Sequence, residues 1–230
     1  MLLGNTSVVF KRMSHAVMRT GRRPEEVRLV AVTKTIGVEA IKQALDIGLR
    51  IFGENKVQEA KEKIEALATQ APSGIEWHLI GHLQGNKTKY SVRLFDLIHS
   101  LDSEGLAGDL DREARKLGKV QRVLIQVKLS EEETKSGIAE KELTQLIEKV
   151  GELKNLKLEG LMTIPPFFDD PERARPYFRR LRELRDELVI KGINLPELSM
   201  GMSDDFEVAI EEGATLVRIG TAIFGERRTK

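Results

Sequence analysis

The sequence predicts an α/β fold, a single (β/α)8 TIM barrel behind a leading N-terminal helix. Three observations predict it. Short apolar runs alternate with helical patterns along the chain, which is the signature of crossover units on a parallel sheet. Eight such units follow the leading helix, and roughly 205 residues over eight units give about 26 each, close to the spacing of a small barrel. The first strand runs into Thr33-Lys34-Thr35-Ile36-Gly37, which lacks the glycine-rich phosphate fingerprint of the competing doubly wound sheet.

The elements follow in order. Residues Asn5 to Thr20 read as the leading helix, closed by Gly21 and the Arg22-Arg23-Pro24 break. The strand candidates are Val27 to Thr33, Arg50 to Phe52, Glu76 to Ile80, Leu94 to Ser100, Val120 to Val127, Leu156 to Ile164, Glu197 to Met200 and Thr215 to Ile219. Helical patterns lie between them at Val38 to Leu49, Lys56 to Thr69, a short piece from Asn86, Ser103 to Leu117, Ala139 to Leu153, Pro171 to Lys191 and Asp204 to Gly213. In the long helix from Pro171, residues Tyr177, Phe178, Leu181, Leu184 and Leu188 form an apolar stripe at helical spacing, an ordinary core face. Asp170 is placed to cap that helix, with Pro171 in its first turn. The expected domain organisation is one unit over residues 1–230, with the leading helix at 1–22 and the barrel at 27–225.

Composition narrows the function classes. Thirty-seven basic against thirty-six acidic residues leave a formal charge of +1, so no strong global field draws the chain to nucleic acid or an anionic membrane. Zero cysteines exclude disulfides, thiolate catalysis and cysteine-ligated metals. No stretch reads as a secretory signal or an apolar span, and a cytoplasmic protein is expected. The segment Gly81 to Thr88 lacks the spacing and the Gly-Lys pair of a phosphate-binding P-loop. No apolar surface stripe beyond the core faces is apparent, and a monomer is expected.

The chemistry gathers at strand ends. Lys34 ends the run Val27 to Thr33, where an α/β barrel places its reactive groups. Desolvation there favours a neutral amine, the form that condenses with an aldehyde; the alternative is a lysine snorkelling to solvent. The seventh strand runs into Ser199-Met200-Gly201-Met202-Ser203 and the eighth into Arg218-Ile219-Gly220-Thr221. Glycines there let backbone amides approach an anion, and the hydroxyls of Ser199 and Thr221 add donors. Ser203 before Asp204-Asp205 reads as a helix cap. Period two puts Leu216, Arg218 and Gly220 on one face, so Arg218 points into the barrel. Its partner is either an unprotonated ring nitrogen or an inward acid such as Glu54. Asn55 closes the second strand near the same rim. His78 and His82 have no metal-ligand partners at recognisable spacing and read as hydrogen-bonding structural histidines.

Taken together, six ordered stretches resemble the pyridoxal phosphate homeostasis protein family, the single-domain relatives of the alanine racemase barrel. They are Val30 to Lys34, Phe52 to Asn55, Trp77 to Gln84, Leu158 to Met162, Leu198 to Ser203 and Val217 to Gly225. The resemblance implies pyridoxal 5'-phosphate as cofactor, held by Lys34 as a Schiff base (aldimine), with Ser199, Gly201, Gly220 and Thr221 around its phosphate. It further implies Arg218 at the pyridine nitrogen and Asn55 as a neighbour. By the same resemblance the function is cofactor homeostasis without an established reaction, with influence on vitamin B6 and amino-acid pools and with apo-enzymes as recipients. The expected departure from alanine racemase is a chain ending at Lys230 without a second, mainly β domain, and with Tyr90 and Tyr177 in segments unlike that of the racemase's catalytic tyrosine. Two further readings remain at this stage: a slow racemase or lyase using Lys34 as its only base, and a barrel for another phosphorylated ligand.

Overall fold

The computed structural model describes residues 1–68, 73–130 and 136–226. Eight parallel strands close into a ring: β1 (Arg28–Val32), β2 (Ile51–Glu54), β3 (Glu76–Leu79), β4 (Leu97–Leu101), β5 (Gln121–Lys128), β7 (Leu156–Met162), β8 (Glu197–Ser199) and β9 (Leu216–Ile219). Neighbours pair in that order, and β1 joins both β2 and β9 to complete the barrel. The expected fold class is the observed one. A two-residue strand absent from the sequence reading, β6 (Ile138–Ala139), pairs with the end of β5 at Val127 and Lys128.

Helices surround the ring: α1 (Leu2–Arg19), α2 (Val38–Asp46), α3 (Val57–Leu67), α4 (Thr88–Leu94), α5 (Glu104–Lys116), α6 (Leu143–Gly151), α7 (Arg175–Ile190), α8 (Phe206–Glu211) and the short α9 (Thr221–Phe224). Ser103 caps α5 by accepting from the Leu106 amide at 3.3 Å, and Asp170 accepts from the Glu172 amide at 3.0 Å where Pro171 opens a 3-10 turn before α7. Asp170 is the expected cap, but it caps a 3-10 turn (Pro171–Ala174) that leads into α7 and not the helix itself. Thr69, the expected end of the third helix, lies outside the described residues.

Alternation along the strands sorts the apolar residues into two cores. Val30, Leu97, Leu124, Met162 and Leu216 cluster together as the plug inside the ring. Their chain neighbours Leu29, Ala31, Ile98, Val123, Ile125, Leu161 and Val217 join the larger core between strands and helices. A slip of one residue would exchange the two sets, so register is firmly specified. Near the strand starts the plug gives way to ion pairs. Arg28 meets Glu197 at 2.6 Å, and Arg122 holds Glu76 at 3.0 Å and Glu159 at 2.8 Å.

The leading helix begins at Leu2 instead of Asn5. It buries Val9, Met13, Ala16 and Val17, and it is tied to the last part of the chain. Arg12 pairs with Glu207 at 2.7 Å, Arg19 with Glu211 at 2.8 Å, and the Asn5 amide donates to the Ile223 carbonyl at 3.1 Å. No described helix is long and apolar enough to cross a membrane.

Candidate functional site

Lys34 sits in a turn directly after β1 and is half-buried. The Ile36 amide donates to the Thr33 carbonyl at 2.9 Å, and Thr35 takes a left-handed backbone with φ 64°. A β-branched residue rarely accepts that conformation, so the turn must be held from outside. The holding group is Lys63 of α3. Its ammonium donates to the Thr33 carbonyl at 2.6 Å, to Glu54 at 2.7 Å and to Glu59 at 2.6 Å. Glu59 also accepts the Thr35 amide, and Glu54 accepts the Thr33 hydroxyl at 2.6 Å. Burial pushes the Glu54 carboxyl above its usual range, with Lys63 and Thr33 opposing. Glu54 is therefore engaged behind the turn by Lys63 and Thr33, and the alternative of an Arg218–Glu54 bridge is set aside.

Arg218 is buried, 3 % exposed. One guanidinium nitrogen donates to the Ser199 hydroxyl at 2.6 Å and the other to the Thr163 carbonyl at 2.9 Å. Burial lowers its pKa to about 10, with Asp205 opposing, so it stays charged near neutrality. Ser199 is fully buried, and its hydroxyl also meets His99 Nδ1 at 2.9 Å.

Two glycines shape the lip beside these residues. Gly201 has φ 89°, and a Cβ there would lie 2.5 Å from that of Ala209 and 3.0 Å from Phe206 Cα. Gly220 packs against the end of β1, where a Cβ would stand 3.2 Å from the Val32 carbonyl oxygen. Thr221 is exposed and opens α9. The Ala222 amide donates to the Ser203 hydroxyl at 3.3 Å, joining the segments after β8 and β9 into one lip. Ser203 is thus not the expected helix cap. α8 starts at Phe206, and Asp205 folds back to accept the Met202 amide at 2.6 Å, closing the turn and freeing Ser203 to face α9.

Asn55 is half-buried one residue beyond β2, whose end is fastened to β3 by the Ile80 amide on the Glu54 carbonyl at 2.9 Å. His78 is fully buried and bonded, as expected of a structural histidine, whereas His82 stays half-exposed with Asp102 at 3.5 Å. In the loop from Ile164 to Pro171, Phe168 stacks on Tyr177 at 5.9 Å and lies under Arg173, and Phe167 is exposed. Sequence reading passed over His99 and Lys63. His99 shares period-two parity with Leu97, which the structure places in the plug; the sequence carries no signal for which face that is.

Lys34, Arg218 and the glycine lip thus lie at the C-terminal ends of the adjacent strands β1, β9 and β8; an amine can condense with an aldehyde, and a charged guanidinium can donate to an anion or a ring acceptor. The family model for the alanine racemase N-terminal domain matches residues 11–228. The pyridoxal phosphate homeostasis protein of Aquifex aeolicus is 51% identical over 223 residues, 96% of each chain.

The chain belongs to the pyridoxal phosphate homeostasis protein family.

The family member from Escherichia coli K12 is 42% identical over 97% of this chain and 95% of its own. Among solved structures, PipY of Synechococcus elongatus with PLP bound is 38% identical, with a TM-score of 0.83 over 94% of this chain and 100% of its own. Alanine racemase of Clostridium difficile is 17% identical with a TM-score of 0.75, and this chain spans 57% of its length; it shares the barrel fold.

Proposed function

We propose that the protein binds pyridoxal phosphate reversibly and serves its homeostasis as a single barrel unit, with Lys34 as covalent anchor. In this reading Arg218 addresses the ring nitrogen, and Gly201, Gly220 and Thr221 line the phosphate lip, with Ser199 and Asn55 in the same wall. The observation that carries it is the convergence of the Lys34 turn, the Arg218 guanidinium and the joined lip on three adjacent strand ends. The donor set fits such a group: an amine for its aldehyde, a guanidinium for its ring and backbone amides for its phosphate. Pyridoxal phosphate supplies an aldehyde and an electron-withdrawing ring.

The chain's own groups favour holding over turnover. Arginine does not release its proton to a ring nitrogen, which leaves the ring a weak electron sink. Racemisation with two bases needs a second proton-transfer group across the substrate. The two tyrosines lie on the outer helices α4 and α7, and Tyr177 is stacked on Phe168. A monomeric cytoplasmic carrier that passes its cargo to apo-enzymes, and through them influences amino-acid pools, follows from the reading.

Borohydride reduction of the loaded protein, followed by intact mass and peptide mapping, tests it. One adduct on Lys34, lost in Lys34→Ala, is expected, and an adduct at another side chain overturns the reading. Solvent deuterium exchange at the α-carbon of added amino acids should show no sustained turnover. Sustained exchange that disappears in Lys34→Ala would make the protein an enzyme.

A further inference from the structure

The barrel interior carries a line of polar groups that covalent capture does not use. His99 of β4 and His78 of β3 are both fully buried, with ring centroids 5.0 Å apart. His99 Nδ1 meets the Ser199 hydroxyl at 2.9 Å, His99 Nε2 meets His78 Nδ1 at 3.0 Å, and His78 Nε2 meets the Glu76 carboxylate at 3.3 Å. With Arg218 on Ser199 at 2.6 Å, the line runs from the mouth to the start of β3.

The direction of each hydrogen bond follows from its ends. Glu76 also accepts from Arg122 at 3.0 Å. Hydrogen bonding by His78, then by Arg122, against burial, holds the carboxyl down to about 2. A carboxylate only accepts, so His78 Nε2 carries the hydrogen. Burial lowers the pKa of His78 against the opposing hydrogen bond and charge of Glu76, and burial with the charges of His78 and Arg218 lowers that of His99 well below the usual value; the 3.0 Å contact between His99 Nε2 and His78 Nδ1 also leaves room for only one hydrogen between them. A neutral imidazole has one N–H. His78 Nδ1 therefore accepts from His99 Nε2, and His99 Nδ1 accepts from the Ser199 hydroxyl. The Ser199 oxygen in turn accepts from Arg218, which can only donate. All four bonds point the same way.

We infer that His99 and His78 are positioning residues for Arg218, which they fix through Ser199 by a one-way hydrogen-bonded line from the guanidinium to Glu76. Ser199 has a single hydroxyl hydrogen, and His99 takes it. None is left to donate to a phosphate, so Ser199 serves the ring end of the site through Arg218, and the phosphate is left to the lip.

Two experiments test this. The first needs no cofactor, so its outcome is independent of the proposed function on which the second rests. Long-range 1H–15N correlation spectra of the histidine-labelled apoprotein between pH 5 and 9, with His15→Gln and His82→Gln for assignment, are expected to show His78 and His99 as neutral Nε2–H tautomers throughout. An Nδ1–H tautomer at His99, or protonation of either ring in that range, overturns the line. In the second, His99→Ala is expected to release pyridoxal phosphate about tenfold faster, the effect of one unmade buried hydrogen bond, and to shift the absorbance band of the bound cofactor. Its preference for pyridoxal phosphate over pyridoxal should not change. His99→Asn, whose side-chain oxygen stands in for Nδ1, should restore the wild-type band. Loss of the phosphate preference in His99→Ala, or no change in release or band, overturns the assignment.

Discussion

The Lys63 ammonium donates to the main-chain carbonyl of Thr33 at 2.6 Å, one residue before Lys34. A cation on a surrounding helix thus fixes the backbone that presents the candidate amine. Lys63→Met removes the charge and leaves the Glu54 carboxylate, 0 % exposed, without its cation. Breaking a buried pair in this way costs about 3–5 kcal/mol, and urea unfolding should show a loss of that size. Replacing both partners, Lys63→Met with Glu54→Leu, should recover most of it, because no buried charge is then stranded.

Thr35 gives a prediction of opposite sign. Its left-handed backbone costs a residue with a Cβ about 1–2 kcal/mol, whereas its contact with Glu59 is made by the amide and survives substitution. Thr35→Gly relieves the strain and costs about 0.5–1 kcal/mol in backbone entropy. A net gain of up to about 1.5 kcal/mol is expected in thermal unfolding. A loss would mean that the threonine side chain supports the turn.

Gly201→Ala should damage stability and binding together. The added carbon meets Ala209 at 2.5 Å and Phe206 at 3.0 Å on a backbone at φ 89°. Overpacking and positive φ combine to about 2–5 kcal/mol. Calorimetry should show the lowered transition, and titration with pyridoxal phosphate should show weaker binding than in wild type at a temperature where both are folded.

Acid should weaken the fold partly through Glu76. Its carboxyl is held down to about 2 in the folded chain against 4.5 for the free group, so the unfolded chain takes up that proton first as pH falls. The stabilisation is complete above pH 4.5 and is lost as pH falls towards 2. Glu76 is about a third exposed, so solvent screening trims the effect. Urea midpoints at pH 5.5 and 3 should fall further for wild type than for Glu76→Gln. Equal slopes would remove Glu76 from the account.

The sequence was most legible where one residue type has one reading. Apolar runs such as Leu29 to Val32 and Val123 to Ile125 announced the buried strands, and Gly201 and Gly220 marked the lip. Lys63 was illegible because α3, reading Val-Gln-Glu-Ala-Lys-Glu-Lys-Ile, has the look of a solvated helix; its burial comes from Glu54, nine residues away on β2. His99 was hidden in a strand buried at every position, where composition does not distinguish the face towards the ring from the face towards the helices. Ser203 was misread because a serine before two acids has the form of a cap, and only the fold brings Ala222 across to it.

The pairing of β1 with β9 sets a timetable for the nascent chain. Lys34 leaves the ribosome early, while Arg218 and the lip emerge near the end of synthesis. Until the last strand docks beside the first, and α1 fastens the C-terminal segment, Lys34 is an ordinary amine on an unfinished sheet. The proposed aldehyde trap is therefore completed only when the circle closes, and a product truncated before β9 would carry Lys34 without Arg218.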